Sequence, residues 1–255
     1  MRTFGDYAAY YDGLYREKDY GAEAAFVLGL ARQHCPQAQS FLELGCGTGS
    51  HAEHLSAAGI QIHGIDSSAP MLELARARQQ RLPREVAGRL MFSHGDVRHL
   101  RISETFDAAI SLFHVVSYQI SNQDLRDCFA TAKRHLKPGG VFVFDCWYGP
   151  AVLTDPPSVR VRHWDDAATS VTRIAEPTLN ANENIVDVNY TLFVRNRASA
   201  VTTVLKELHR MRYLFQPEIE MLASAAGLEI IEARAWMSER EPGRDSWNAC
   251  FVIRG

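Results

Sequence analysis

The amino-acid sequence predicts an α/β fold: a doubly wound, mostly parallel sheet with an inserted antiparallel β-sheet. Three observations carry this. From residue 40, short apolar runs alternate with longer amphipathic segments. The first apolar run enters a turn with glycine at alternate positions, Gly45, Gly47 and Gly49. Beyond Asp145, four strand-like stretches follow one another without helical periodicity between them. Strands joined through helices become parallel neighbours, whereas strands joined directly pair antiparallel.

The elements follow in order. The first 35 residues read as helical and aromatic, with Tyr7, Tyr11 and Tyr15 spaced to share one helical face, either packed on the core or lying over a ligand as a lid. A strand at 41–44 leads through the glycine turn into a helix closed by Gly59, then a strand at 61–65. Ser67 or Ser68 caps a helix at 70–81, with Pro70 in its first turn. Strands at 90–93 and 106–112 come next, and Ser121 with Asp124 forms a capping box for a helix reaching 136. Pro138-Gly139-Gly140 turns into a strand at 141–145. The four stretches near 159–162, 170–175, 185–194 and 201–213 make the inserted sheet, after which the parallel pattern resumes with a helix at 217–226 and strands at 228–235 and 249–253. The expected division is a helical lid over 1–35, a ligand-binding domain over 36–150 and 214–255, and an acceptor-binding insertion over 151–213.

Composition narrows the function classes. A formal charge of −3 with 22% charged residues gives no broad basic field, so nucleic acid is not expected as a partner. No apolar stretch is long enough for a bilayer and no secretory leader opens the chain, so a cytoplasmic location without a membrane partner is expected. A homodimer is compatible with the sequence. Five scattered cysteines without a C-x-x-C pair read as reduced thiols, and Cys46 as a small residue filling a tight bend. His51 and His54 have no third ligand at suitable spacing, so no metal is expected. Arg76, Arg78, Arg81 and Arg84 read as a solvated helix face.

Ligands of a parallel sheet collect at the carboxyl ends of its strands. The glycine turn lets the backbone lie against a nucleoside, but Gly49 falls one residue too early for the dinucleotide order G-x-G-x-x-G. Asp66 ends the second strand, where an acid can accept ribose hydroxyls. Asp96 follows the third, where it can accept from an exocyclic adenine amine while the Val97 amide faces the ring.

Glu43-x-Gly45-x-Gly47-x-Gly49 resembles the first motif of the class I S-adenosylmethionine-dependent methyltransferases, whose fold is Rossmann-like. Asp96, the segment Ser111-Leu112-Phe113-His114 and Lys137-Pro138-Gly139-Gly140 match further family positions in the same order. The resemblance implies S-adenosylmethionine as cofactor, with Glu43, Gly45, Cys46, Gly47, Gly49, Asp66, Ser67, Asp96 and Val97 around it. Tyr11, Tyr15 or Phe113 would offer an aromatic face to the sulfonium, and Tyr20 would reach the methionine carboxylate.

The stretches Tyr11 to Tyr15, Lys18 to Ala24, Trp147 to Pro150, Leu208 to Phe215 and Gly243-Arg244 resemble bacterial nucleotide-sugar N-methyltransferases, which dimethylate an amino group on a dTDP-linked deoxysugar. That resemblance implies a small-molecule acceptor touched by Trp147 and Tyr148, with Arg244 on its diphosphate and His114 or Tyr15 as base. Methylation of a hydroxyl or of a non-sugar amine stands beside it. So does an inert cofactor-binding module. A nicotinamide-dependent dehydrogenase is disfavoured by the glycine spacing and by Asp96.

Overall fold

A computed structural model describes residue 5 and residues 7–255; residues 1–4 and 6, part of the expected lid, lie outside the described residues. Helices α1 (Ala8–Leu14) and α2 (Tyr20–His34) precede β1 (Ser40–Leu44), α3 (Ser50–Ala57), β2 (Gln61–Asp66), α4 (Ala69–Gln79), α5 (Arg84–Ala87) and β3 (Leu90–His94). Then come β4 (Phe106–Ser111), a 3-10 turn (Val116–Tyr118), α6 (Asn122–His135), β5 (Leu136–Trp147) and α7 (Gly149–Thr154). The second sheet takes β6 (Arg160–Asp165), β7 (Thr169–Asn180), β8 (Ile185–Asn196) and β9 (Thr202–Arg212), before α8 (Gln216–Ala225), β10 (Glu229–Ala235) and β11 (Asn248–Arg254).

The main sheet has the order β10-β11-β5-β4-β1-β2-β3, and β1 to β5 run parallel. Helices cover both faces, so its central strands are apolar on both sides. Successive residues of β5 show the period of two: Phe142 and Phe144 pack with Phe129 of α6, while Val141 and Val143 pack with Val27 of α2. The four-stranded antiparallel sheet has the order β6-β7-β8-β9. It joins the main body through a bridge between Tyr148 and Leu214 and through aromatic contacts with the N-terminal segment, including stacked Tyr7 and Tyr190 rings 5.8 Å apart.

Three details differ from expectation. The N-terminal helical stretch is two helices, because Asp19 starts α2 afresh by accepting from the Ala22 amide at 2.8 Å. Strand β5 begins at Leu136 rather than after the Pro138-Gly139-Gly140 turn, which is absorbed as a register shift against β4 with Gly139 at φ +77°. The parallel pattern does not fully resume: β11 is antiparallel to both β5 and β10. Residues 236–247 hold no helix, and a direct return forces the reversed direction. No helix among the described residues is long and apolar enough to cross a membrane.

Gly45 leaves β1 at φ +83°, and a Cβ there would meet Val115 Cγ1 at 2.5 Å. Gly45→Ala is expected to lower unfolding free energy by roughly 1–3 kcal/mol, from left-handed strain and overpacking together. Urea denaturation measures it.

Candidate functional site

Strands β1 and β4 lie side by side at the centre of the sheet, where the strand order reverses and a crevice opens at their carboxyl ends. The glycine turn emerges there. Its Gly45, Gly47 and Gly49 all have positive φ, at 83°, 52° and 75°. The Gly45 and Cys46 amides donate to the Ile65 carbonyl at 2.7 and 3.0 Å, which ties the turn to β2. The Asp66 carboxylate accepts from the Gly47 amide at 2.8 Å through one oxygen and from the Ser68 amide at 2.8 Å through the other. Asp66 thus braces the turn, with the Ser67 amide as a third backbone donor to its carboxylate. Burial raises its pKa and these amides oppose the rise.

Beside the turn, Glu43 Oε2 is buried with no hydrogen-bond partner among the described residues, and the Tyr20 hydroxyl is buried with Tyr11 as its neighbour. Burial, with Asp66 nearby, pushes the Glu43 carboxyl up to about 8. Behind it, His51 Nε2 lies 2.8 Å from Glu23 Oε2, and Glu23 also pairs with Lys18. Burial raises the Glu23 pKa, but hydrogen bonds from His51 and Lys18 outweigh it and bring the group down to about 2. His51, weighed above as half of a metal pair, is therefore committed to a carboxylate. A free amino acid end has a donor group for Glu43 and an acceptor group for Tyr20, so the pair suits a methionyl moiety.

Asp96 is gripped by Arg98, whose Nε and Nη2 reach its two oxygens at 2.9 and 2.5 Å; the hydrogen bonds from Arg98 lower the Asp96 pKa. Arg98 also reaches Asp124 at 2.7 Å, so the start of α6 holds the loop after β3. After β4, Phe113 and His114 both adopt left-handed backbone, φ 60° and 65°. Asp145, buried at the end of β5, accepts the His114 amide at 3.1 and 3.2 Å and lies 2.6 Å from His114 Nδ1, out of line for a hydrogen bond to the ring. One carboxylate therefore holds the strained loop in place.

A single cleft of about 810 Å³ gathers Tyr11, Tyr15, Tyr20, Gly45, Cys46 and Gly47 with Asp66, Ser67, Asp96, Val97, Phe113, His114 and Trp147. Glu43 and Gly49 stand behind its wall, Gly49 as the N-cap of α3. Two expected acceptor contacts lie elsewhere. Tyr148 is buried against Phe251, because residue alternation turns its side chain into the core next to Trp147. Arg244 is exposed in the 236–247 loop and does not line the cleft.

The far half of the cleft belongs to the inserted sheet, and most of its residues have no sequence signature. Arg160 and Arg162 of β6 and Arg173 of β7 line it, with Tyr118, Tyr190 and His209. Arg173 is 5% exposed; its Nη1 donates to the Tyr7 and Tyr15 hydroxyls at 2.9 and 2.8 Å, and its Nε has no partner among the described residues. The Arg162 guanidinium lies 5.1 Å from the centre of the Tyr15 ring. Arg78 also departs from the solvated-face reading: it reaches Asp12 of α1 at 2.6 Å and the Thr48 carbonyl at 3.0 Å, pinning the N-terminal segment to the glycine turn.

A nucleoside-sized crevice at a glycine turn, two strand-end acids and the buried Glu43 carboxyl define a cofactor site of the adenosyl-amino-acid type. Residues 41–140 match the methyltransferase domain family. The dTDP-3-amino-3,4,6-trideoxy-alpha-D-glucopyranose N,N-dimethyltransferase of Streptomyces venezuelae is 32% identical over 228 residues, covering 88% of this chain and 91% of that protein. The crystal structure of DesVI from Streptomyces venezuelae superposes with a TM-score of 0.80 at 28% identity, over 98% of each chain. A structure of an amino pentose methyltransferase from Micromonospora echinaspora with S-adenosylmethionine bound gives a TM-score of 0.75 at 26% identity, over 100% of this chain and 98% of that one. The chain belongs to the class I S-adenosylmethionine-dependent methyltransferases, within the branch that resembles the dTDP-amino-sugar N,N-dimethyltransferases. It is an enzyme, and its cofactor is S-adenosylmethionine.

The Glu43 carboxyl gives the apoenzyme a pH signature. In the folded chain it keeps its proton up to pH about 8, whereas in the unfolded chain it loses it near 4.5. Between those values the folded state binds the extra proton, so this group makes stability fall as pH rises and has no further effect above pH 8. Glu43→Gln is expected to remove that decline. Urea midpoints of wild type and variant at pH 5 and pH 8 compare them, with the variant's relative stability greater at pH 8.

Proposed function

We propose that the enzyme methylates the amino group of a deoxyamino sugar carried on a nucleoside diphosphate, a dTDP-linked sugar. The observation that supports it best is the division of charge along the cleft. Among the described residues, the acids lining it are Asp66 and Asp96, both at the cofactor end, where Arg98 offsets Asp96, while Arg160, Arg162 and Arg173 line the far end without an acid among them. A neutral or cationic acceptor has no use for three guanidinium groups. A diphosphate does, because planar donors match its oxygens and the charges are opposite. The Streptomyces venezuelae relative is named for a dTDP-amino sugar, which supports the same reading.

When bound, S-adenosylmethionine supplies a sulfonium methyl that is already electrophilic. The protein's part is to align the acceptor nitrogen with it and keep water out. Glu43 and Tyr20 suit the methionyl end, Asp66 the ribose, Asp96 and the Val97 amide the adenine. Tyr11, Tyr15 and Phe113 form one aromatic cluster at the centre of the cleft, with Tyr11 and Tyr15 ring centres 4.8 Å apart and Tyr15 and Phe113 5.1 Å apart. That cluster faces both halves of the cleft and shields the transfer position.

Two experiments test the reading. Incubation with S-adenosylmethionine and a panel of nucleotide-linked amino and hydroxy sugars should give mass gains of one or two methyl units on amino sugars; gains on hydroxy sugars alone, or none, would sink it. Arg162→Ala should raise the KM for the nucleotide sugar by roughly 10-fold or more, the loss of a charge-assisted contact, with the KM for S-adenosylmethionine unchanged. Arg244→Ala should move neither constant. The reverse pattern would return the diphosphate to the 236–247 loop.

A further inference from the structure

We propose that Tyr118, His209 and Glu207 form a proton relay that takes the proton from the acceptor's ammonium group, with the Tyr118 hydroxyl touching the acceptor. This rests on the amine-acceptor reading above. Tyr118 sits in the 3-10 turn four residues beyond His114 and lines the cleft. Its hydroxyl crosses from the parallel domain to the inserted sheet and meets His209 Nδ1 of β9 at 2.7 Å. His209 Nε2 lies 3.1 Å from Glu207 Oε2. His209 is 1% exposed and Glu207 8% exposed. The other Glu207 oxygen accepts from the Gly5 and Tyr7 amides at 3.1 and 3.4 Å, which fixes the carboxylate's orientation toward His209.

The chemistry of these partners sets the direction of transfer. A carboxylate oxygen accepts, so a proton on His209 Nε2 satisfies the contact with Glu207 and leaves Nδ1 to accept from the Tyr118 hydroxyl. Burial, with Tyr190 next in effect, pushes the Tyr118 phenol well above its ordinary pKa, so it remains a neutral hydroxyl at physiological pH. A neutral hydroxyl with an imidazole behind it can accept one proton while passing on another.

An acceptor ammonium has no lone pair and must lose an N–H proton before nitrogen can attack a methyl group. In the relay, that proton passes to Tyr118 oxygen as the Tyr118 proton passes to His209 Nδ1. The N–H electron pair stays on the acceptor nitrogen, and the resulting imidazolium is paired with the Glu207 carboxylate. Tyr15 is less suited, because its hydroxyl already accepts from cationic Arg173 at 2.8 Å. The ring of His209 is faced by Tyr7 at 5.8 Å, by Tyr190 of β8 at 4.6 Å and by Tyr118 at 5.8 Å. Arg173 of β7 lies beyond, 4.7 Å from the Tyr190 ring centre. Glu207 brings a carboxylate into direct contact with the imidazole.

The test is the pH dependence of kcat for Tyr118→Phe and His209→Gln. At neutral pH both should lose on the order of 10²-fold in kcat. The loss should shrink toward wild type as pH passes the amine's own pKa, because solvent then supplies the free base. S-adenosylhomocysteine affinity should stay near wild type in both variants, and acceptor KM in His209→Gln, whose side chain does not touch the acceptor. Independently of turnover, 15N NMR of labelled histidine, assigned by the resonance missing from His209→Gln, should place the His209 proton on Nε2. An unchanged kcat, a loss that is the same at every pH, or a proton on Nδ1 would overturn the relay. So would a pH-rescued loss found in His114→Phe and absent from Tyr118→Phe. If the wild type methylates only hydroxyl acceptors, the amine reading fails and the relay falls with it. If it methylates amines while the two variants show wild-type profiles, the relay alone fails.

Discussion

The hydrogen bond from the Gly47 amide to Asp66 is the contact on which the cofactor half of the cleft depends. A turn of alternating left-handed glycines has no intrinsic reason to hold one shape, since glycine explores both signs of φ freely. Asp66 removes that freedom by gripping Gly47 from β2, and the Ile65 carbonyl does the same for Gly45 and Cys46. With the turn fixed, α3 can begin at Gly49 and Thr48 can receive the N-terminal segment through Asp12 at 2.7 Å. The carboxylate expected to meet the ribose is thus also a structural brace, a double duty that the motif alone does not disclose.

The two halves of the cleft have opposite electrostatic character for a physical reason. A sulfonium cofactor brings positive charge, and an acid-lined pocket with aromatic walls suits it. The nucleotide-linked acceptor proposed above would bring negative charge to the opposite end, where the arginines lie, and on that proposal each ligand has its own half, with the tyrosine cluster and Phe113 between them. The inserted sheet therefore gives the cleft its far wall, and Arg173, buried with the Tyr7 and Tyr15 hydroxyls, joins that wall to the N-terminal segment.

Much of this was legible in the sequence. Glycine spacing, Asp66, Asp96 and the alternation of strands with helices are local signals, and they led to the fold and the cofactor. What was hidden is non-local. Arg162 and Arg173 sit on strands where charged residues are ordinary, and only the pairing of β6 with β7 brings them to one cleft wall. Tyr118 lies 91 residues from His209 in sequence and becomes the neighbour of the His209–Glu207 pair through the packing of β9 on the turn after β4. Tyr148 and Arg244 do not line the cleft, for related reasons: strand alternation decides which of two adjacent aromatics faces it, and a Gly-Arg loop does not announce where it points. The direction of β11 was missed because the sequence marks a strand without marking the sense in which it runs.

The most direct test is a crystal structure of the enzyme with S-adenosylhomocysteine and a dTDP-amino sugar bound together. The charge division predicts diphosphate oxygens within hydrogen-bond distance of Arg162 or Arg173 and the sugar nitrogen at the tyrosine cluster, facing the cofactor sulfur. A diphosphate held outside the arginine wall, or an amine turned away from the sulfur, would contradict the account.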